Sequence, residues 1–150
     1  MAAISRIATT QAEDSGPATT QCVINLGTIL ASDLLIAGVA HGASGGVDTP
    51  SGWSILRAAQ NANGGRLATF YKWAAGGEST VTLTFSGGGT SIVNGGICTQ
   101  YRNVSALQGV DGTNETTSDT VIIAPTQAGV VSGSVILAMA AMHIAADTEM

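Results

Sequence analysis

The chain has 150 residues, of which 45% are hydrophobic and only 10% are charged, and its formal net charge at pH 7 is −5. This length predicts one domain with a substantial core. Nucleic acid is excluded as an expected partner, because phosphate binding needs clustered cations and the whole chain has 5 Lys and Arg residues. A membrane is excluded as well, because the longest apolar run, residues 135–141, is far shorter than the ~18 residues that span a bilayer.

The low fraction of charged residues predicts a surface covered by Thr, Ser, Asn, Gln and Gly. Such a surface repels its neighbours weakly and tolerates close contact with copies of itself or with other proteins. The N-terminal residues show no basic segment followed by a long apolar one, so we expect no secretory signal. These features favour a component of an oligomer or a lattice.

The first forty residues predict three strands and one loop. Residues 2–10 fit a first strand, and residues 11–20, which are rich in turn-forming types, fit a loop. Residues 21–30 fit a strand with a bulge at Gly27. Residues 33–40 are almost continuously apolar, which is typical of a central strand covered on both faces. A helix over these last residues is the weaker alternative.

A hairpin is the strongest local signal in the chain. It follows a long glycine-rich turn at residues 41–52. Its two strands, residues 53–59 and 66–74, flank Asn63-Gly64, and this dipeptide readily supplies the positive φ angles of a tight turn. The two strands should therefore be antiparallel neighbours.

The stretch from residue 79 to residue 104 organises the rest of the prediction. Val81, Leu83 and Phe85 alternate with threonines, which is the pattern of a half-buried strand. Residues 87–89 are glycines that break the run where a turn is needed, and a second strand follows to Val104. Two strands alone are unstable in water, so this apolar face requires a partner sheet.

The remaining chain adds a polar stretch at residues 105–119 and two strands at residues 120–124 and 132–144. The total is about eight or nine short strands separated by turn signals, which predicts an all-β fold. We expect a single domain over residues 1–150, a two-sheet antiparallel β-sandwich that is jelly-roll-like, with an immunoglobulin-like sandwich as the alternative. Residues 1–20 are expected to contribute an extended arm.

Candidate catalytic and metal-binding residues do not assemble into a site. The run Gly42-Ala43-Ser44-Gly45-Gly46 matches the letters of a nucleophile elbow, but the next residues cannot begin the helix that this motif needs. His41 and His143 have no further ligands at metal-binding spacing. Residues 111–115 offer oxygen ligands but depart from the calcium-loop pattern. We therefore expect no enzymatic activity, no metal and no cofactor.

Four aromatic residues and two cysteines each admit two interpretations. Rings that alternate along strands usually fill the space between two sheets, whereas rings exposed in a row would form a platform for sugars. Cys22 and Cys98 fit small core hydrophobes, and a disulfide between them is the alternative. The four aromatic candidates are Trp53, Tyr71, Trp73 and Tyr101.

Three short segments carry a resemblance to a known group of proteins. They are Thr49-Pro50-Ser51-Gly52-Trp53, residues 67–74 and residues 99–104. Their combination resembles β-sandwich virion proteins of tailed phages and prophages. In that group a Pro-x-Gly-Trp turn precedes a strand, and a Tyr-Lys strand and a Tyr-Arg-(Gly/Asn)-Val segment follow. The similarity covers roughly residues 30–110 and implies a decoration protein of the capsid or a module of the tail or fibre.

The function expected from this resemblance is that of a non-enzymatic bacteriophage structural protein. The first expectation is a capsid decoration (cement) protein that binds the capsid exterior and stabilises it, in a virion assembled in the host cytoplasm. Its partners would be the major capsid protein or other virion proteins, and it would form a homo-oligomer such as a trimer. The alternative is a carbohydrate- or receptor-binding module of a tail or fibre. The candidate docking residues, all in predicted loops, are His41, Asp48, Asp111 and Asn114.

Overall fold

The computed structural model describes residues 3–14, 20–41, 46–60, 66–86 and 94–107. Within these residues the chain forms seven β-strands and no helix. The strands are β1 (Ser5–Asp14), β2 (Gln21–Asn25), β3 (Leu34–His41), β4 (Ser54–Gln60), β5 (Arg66–Trp73), β6 (Thr80–Thr84) and β7 (Asn94–Arg102).

The seven strands form two antiparallel sheets. The larger sheet has five strands in the order β1-β7-β3-β5-β4, and the smaller sheet pairs β2 with β6. Every hydrogen-bonded pair is antiparallel, and an isolated bridge joins Val47 to Phe85 beside the smaller sheet. The prediction of an all-β, two-sheet antiparallel sandwich is confirmed. The jelly-roll strand order stays a prediction.

Strand β3 is the centre of the larger sheet, as its continuous apolar sequence predicts. It pairs with β5 on one side and with β7 on the other, and every residue except Ala40 is buried. Leu35, Ala37 and Val39 belong to one apolar cluster, while Leu34 and Ile36 belong to another. Because side chains alternate along a strand, β3 contributes to a core on each face of its sheet.

The main core lies between the two sheets. From the smaller sheet, residues of β2 and β6 contribute alternate side chains, which matches the predicted half-buried strand at residues 80–85. Phe70 of β5 and Cys98 of β7 face them from the larger sheet. The partner sheet that the apolar face of β6 requires is therefore the five-stranded sheet.

The opposite face of the larger sheet carries a second apolar cluster. Leu34, Ile36 and Tyr101 are its buried members. The partly buried side chains that pack against them are those of Ile4, Leu56, Tyr71, Val104 and Leu107.

One sequence prediction about the N-terminal part is wrong. Residues 11–14 were expected in a loop, but β1 continues to Asp14 as an outer strand of the larger sheet. Of residues 1–20, which were expected to contribute an extended arm, the structure places Ser5–Asp14 in this strand. Its pairing with β7 runs from Ser5–Arg102 to Asp14–Asn94. From Ala8 to Asp14 the pairing with β7 is regular. Its backbone hydrogen bonds outweigh the weak strand propensity of Gln, Glu and Asp, because backbone N–H and C=O groups must find partners.

The hairpin prediction is confirmed, since β4 and β5 are antiparallel neighbours. By contrast β6 and β7, although close in sequence, lie in different sheets. Strand β2 ends at Asn25, before the expected bulge at Gly27. The strands predicted at residues 120–124 and 132–144 lie outside the described residues.

Candidate functional site

The two ends of the sandwich differ in chemistry. At one end, β1, β4 and β6 finish and β2, β5 and β7 begin, so three connections join strands there, and a fourth leaves from the end of β3. We call this the loop end. The other end, where β3 begins and β5 and β7 finish, we call the stapled end. Binding residues of sandwiches are disproportionately found where connections cluster on a rigid scaffold.

Two hydrogen-bonded carboxylates lie at the stapled end, the buried one of Asp33 and the partly buried one of Glu78. Asp33 accepts hydrogen bonds from Nε of Arg102 at 2.8 Å, from Nε2 of Gln100 at 2.6 Å and from the backbone N–H of Leu30 at 2.9 Å. The hydrogen bond from Arg102 is the main reason that the pKa of Asp33 falls from its ordinary 3.8 to about 2, although burial opposes it. This network ties the β2–β3 connection to the end of β7.

The second carboxylate of the stapled end is that of Glu78. It accepts the backbone N–H groups of Ala75 at 2.9 Å and Gly76 at 3.0 Å, and it lies 3.1 Å from Nζ of Lys72. Burial raises the pKa of Glu78, but these hydrogen bonds and Lys72 outweigh it and lower the pKa to about 2. At this end both carboxylates are paired with a cation, Asp33 with Arg102 and Glu78 with Lys72. We therefore assign the stapled end a role in holding the fold together.

A row of polar residues crosses the larger sheet at the loop end. The register pairs Asp14 with Asn94, Asn94 with His41, His41 with Arg66, and Arg66 with Gln60. These residues occupy one position on each of the five strands.

His41 is the last residue of β3 and is buried, with 5% of its surface exposed. Its ring lies 5.0 Å from that of Phe85, with 37° between the two planes. Its Nδ1 is shielded from water and has no hydrogen-bond partner in the described part of the chain. Burial lowers the pKa of His41, and the charge of Arg66 lowers it further. The imidazole is therefore neutral at pH 7.

Arg66, the first residue of β5, lies directly opposite His41. Its Nε is also shielded from water and also has no partner within the described residues. The ion pairs Arg102–Asp33 and Lys72–Glu78 both lie at the stapled end. Arg66 brings a guanidinium to the loop end, where its Nε meets no carboxylate of the described residues.

A cavity of about 190 Å³ opens beside these two side chains. We call it the His41–Arg66 pocket. Apart from His41 and Arg66, its described walls are small or apolar, which leaves the two nitrogen-bearing side chains as its polar groups. The wall residues are Gly46, Val47, Ala58, Leu67 and Ala68.

The predicted docking residues fall in different places. His41 was expected in a loop, but it is the last residue of the buried strand β3. Asp48 is exposed, and its backbone N–H donates to the carbonyl of Thr84 at 2.8 Å. Asp111 and Asn114 lie outside the described residues, as do Ser44 and the rest of the nucleophile-elbow run at residues 42–45.

The four aromatic candidates divide between interior and surface. Trp53 packs against the main core and Tyr101 is buried in the second cluster. Tyr71 is partly buried against that second cluster, whereas Trp73 is 39% exposed. Tyr71 and Trp73 share one face of β5, because they are two residues apart.

Both cysteines are buried thiols of the main core, not a disulfide. Burial raises the pKa of Cys98 to about 12, so its thiol is protonated and unreactive in the folded protein. Among the described residues, no group of three His, Cys, Asp or Glu side chains could hold a metal ion. The same residues contain no helix of the length and hydropathy needed to cross a membrane.

Sequence reasoning did not single out Arg66, Asp33 or Arg102. Arg66 carries a detectable signal, because it begins a predicted strand that follows a hairpin turn, where a charged side chain opposite His41 could be anticipated. The Asp33–Arg102 pair joins residues 69 positions apart, and no local pattern reports such a contact.

The class of protein defined by this fold and this pocket is a two-sheet antiparallel β-sandwich with one stapled end and one polar, loop-bearing end. No protein-family model, curated protein or solved structure matches the chain.

Proposed function

We propose that this chain is a non-enzymatic structural protein of a phage particle, namely a capsid decoration protein that binds the capsid exterior and stabilises it. Its partners are the major capsid protein or other virion proteins, together with further copies of the chain, and its location is the virion. The proposal starts from the resemblance of three segments to virion sandwich proteins, and two features of the surface and the fold support it.

The observation that carries the proposal is the chemistry of the sheet edges. The outer strands of the larger sheet are β1 and β4, and each has an irregular register, between Arg6 and Ala8 and between Ile55 and Arg57. Large isoleucines are exposed at these places, Ile7 at 43% and Ile55 at 52%. Bulges normally protect sheet edges from uncontrolled pairing, and exposed apolar side chains beside them suit docking on a partner.

The turn that carries the resemblance is well formed. The backbone N–H of Trp53 donates to the carbonyl of Pro50 at 3.0 Å, and Gly52 has a φ of 76°. The turn delivers the ring of Trp53 to the main core. The motif is therefore a rigid architectural element, as a module that is held among repeated neighbours requires. Many copies would convert modest contacts into firm attachment.

The decoration proposal is tested on purified particles of the phage that encodes the chain. We expect the protein to sediment with capsids in a fixed copy number, to give regular density over the capsid surface, and to raise the temperature at which particles release DNA. Ile55→Glu should weaken this attachment at least tenfold, whereas Gln21→Glu, which adds the same charge on exposed β2, should not. Density at the tail, or no binding to capsids, would reject decoration.

A second candidate function is a carbohydrate- or receptor-binding module of a tail or fibre. The observation that favours it is the 39% exposure of Trp73, on the same face as the partly buried ring of Tyr71. Rings exposed in this way stack on the apolar faces of sugars.

A glycan-binding measurement separates the two candidates. If the tail role is correct, the protein binds a surface polysaccharide of its host, and Trp73→Ala abolishes that binding. Ile55→Ala, which removes a comparably exposed apolar side chain from another strand, should preserve it. If the wild-type protein binds capsids and shows no affinity for the glycan, the tail role is rejected and the decoration role is retained.

A further inference from the structure

Nε of Arg66 is one of two buried side-chain nitrogens that have no hydrogen-bond partner within the described residues. Asp33 and Glu78 neutralise Arg102 and Lys72 at the stapled end. At the loop end, Nε of Arg66 is buried without an acceptor among the described residues. Shielded polar groups in native proteins nearly always have partners, and a charged one without a partner is the costliest exception. Such an exception in the wall of a cavity indicates a ligand.

His41, on the neighbouring strand, also has a buried nitrogen without a hydrogen-bond partner in the described chain. It is 5% exposed, it stands directly opposite Arg66, and its Nδ1 has no partner in the described chain. Although the two residues are cross-strand neighbours, neither Nδ1 of His41 nor Nε of Arg66 finds a hydrogen-bond partner within the described residues. An anion between them would accept hydrogen bonds from both.

We propose that the His41–Arg66 pocket binds a carboxylate group, with the guanidinium of Arg66 donating two hydrogen bonds to it and the imidazole of His41 donating a third. A carboxylate bound side-on to a guanidinium accepts from Nε and from one terminal nitrogen. In that arrangement Nε of Arg66, which has no partner among the described residues, donates a hydrogen bond to the carboxylate.

The dimensions and walls of the pocket select the kind of anion. About 190 Å³ accommodates a small group, and Ala58, Leu67 and Ala68 offer contact to a short carbon chain. A doubly charged phosphate would bring more charge than one guanidinium neutralises. The described walls contain no Asp or Glu, and the charge of Arg66 would repel a cation. The bound group is either a small free carboxylate or a carboxylate side chain of a docked protein, and the assignment does not depend on the phage role.

The test is a titration followed by the NMR signal of the His41 imidazole, assigned with the help of His143→Gln. Sodium acetate is added at constant ionic strength maintained with sodium chloride, and acetamide serves as the uncharged isostere. The expected result is a saturable shift of the His41 signal with acetate and no shift with acetamide. A response to acetate that equals the response to chloride would overturn the proposal.

Two variants locate the binding group. Arg66→Gln should weaken acetate binding about tenfold or more, because it removes a charged donor pair. Arg57→Gln removes the same charge from the neighbouring strand and should change the affinity less than twofold. Equal loss in both variants would contradict the pocket as the site. If Arg66→Gln fails to fold, Arg66→Lys replaces it and should also weaken acetate binding, because lysine lacks the paired donors of a guanidinium. The comparison of acetate with acetamide in the wild-type protein then tests the preference for a carboxylate.

A blocked glutamate, N-acetyl-glutamate N-methylamide, distinguishes the two sources of the carboxylate. Binding at least as tight as that of acetate indicates a protein side chain as the natural occupant. Exclusion of the blocked glutamate while acetate binds indicates a free small carboxylate. Both results support the carboxylate site. If neither acetate nor the blocked glutamate binds, the proposal is refuted.

Discussion

Gly96 marks the place where the two sheets approach most closely among the described glycines. A methyl group there would lie 2.6 Å from Sγ of Cys22 and 3.0 Å from Cδ1 of Ile24. Both neighbours are buried, so they have little room to move. The spacing between β2 and β7 therefore depends on the absence of a side chain at this position.

We expect Gly96→Ala to lower the free energy of unfolding by about 1–3 kcal/mol, the usual cost of overfilling a packed interior. Gly95→Ala is the matched control, because no atom lies within 4 Å of its added methyl group, and its effect should stay within about 0.5 kcal/mol. Urea denaturation of both variants measures the difference. Equal stabilities would show that the sheets are not in close contact at Gly96.

Asp33 is the second residue on which stability depends. Its carboxylate is 1% exposed and receives the guanidinium of Arg102 as well as Gln100 and the N–H of Leu30. Asp33→Asn keeps the shape but removes the charge that these donors require. Breaking a partly buried ion pair in this way should cost about 2–3 kcal/mol. Asp48→Asn, which changes an exposed carboxylate, is the control and should cost almost nothing.

The pH dependence of stability follows from the same carboxylate. The pKa of Asp33 is depressed from its ordinary 3.8 to about 2 in the folded chain, so between these values the unfolded chain binds more protons. Its stabilising contribution, roughly 2 kcal/mol, is complete above about pH 4 and is lost as the pH falls towards 2. Denaturant midpoints measured from pH 2 to pH 6 should show this loss, and Asp33→Asn should make the profile less steep, leaving the part that the lowered pKa of Glu78 contributes. An unchanged profile in the variant would contradict it.

At the scale of elements, the Pro50–Trp53 turn converts a short motif into a fixed geometry. Gly52 has a φ of 76°, and nothing is nearer to an added methyl group than Nζ of Lys72 at 4.0 Å. Steric conflict is therefore absent, and only the left-handed backbone conformation makes glycine preferable.

Gly52→Ala should consequently cost about 1 kcal/mol through backbone strain alone. Gly27→Ala is the appropriate control, because that glycine has open space around it and no positive φ. Thermal unfolding of the two variants gives the comparison. A stabilised Gly52→Ala protein would mean that the turn adopts another conformation.

Edge strands show how an element can escape local prediction. The segment from Gln11 to Asp14 lacks apolar alternation, and its composition favours a loop, yet its backbone completes the ladder with β7. An edge strand faces a partner on one side only, so its side chains need not carry a core pattern. The pairing is decided by β7, whose residues lie far along the chain, as in the pair Asp14–Asn94.

At the scale of the whole molecule, the thiols of Cys22 and Cys98 report on global opening. Both are 3% exposed or less, and the pKa of Cys98 is raised to about 12 by burial. We expect neither thiol to react with an aromatic disulfide reagent at pH 8 on the timescale of minutes, and two thiols to react in denaturant. Rapid labelling of one thiol in the native protein would show that the sandwich opens locally at β2 or β7.

The division into a stapled end and a loop end also belongs to this scale. Hydrogen-bonded carboxylates lie at one end, whereas at the other end Nε of Arg66 has no acceptor within the described residues. We infer that the stapled end supports the fold, and the proposed carboxylate site lies at the loop end. The acetate titration and the capsid experiment examine this division from two independent directions.

The sequence by itself determined the fold class, the central position of β3 and the β4–β5 hairpin. Local sequence patterns predict these features, namely the alternation of apolar residues, a continuous apolar run and an Asn-Gly dipeptide. The strand order, the separation of β6 from β7, the Asp33–Arg102 pair and the meeting of His41 with Arg66 were decided by the tertiary structure. The physical reason is that each of these depends on which distant segments pair, and pairing is selected by the packing of the whole sandwich.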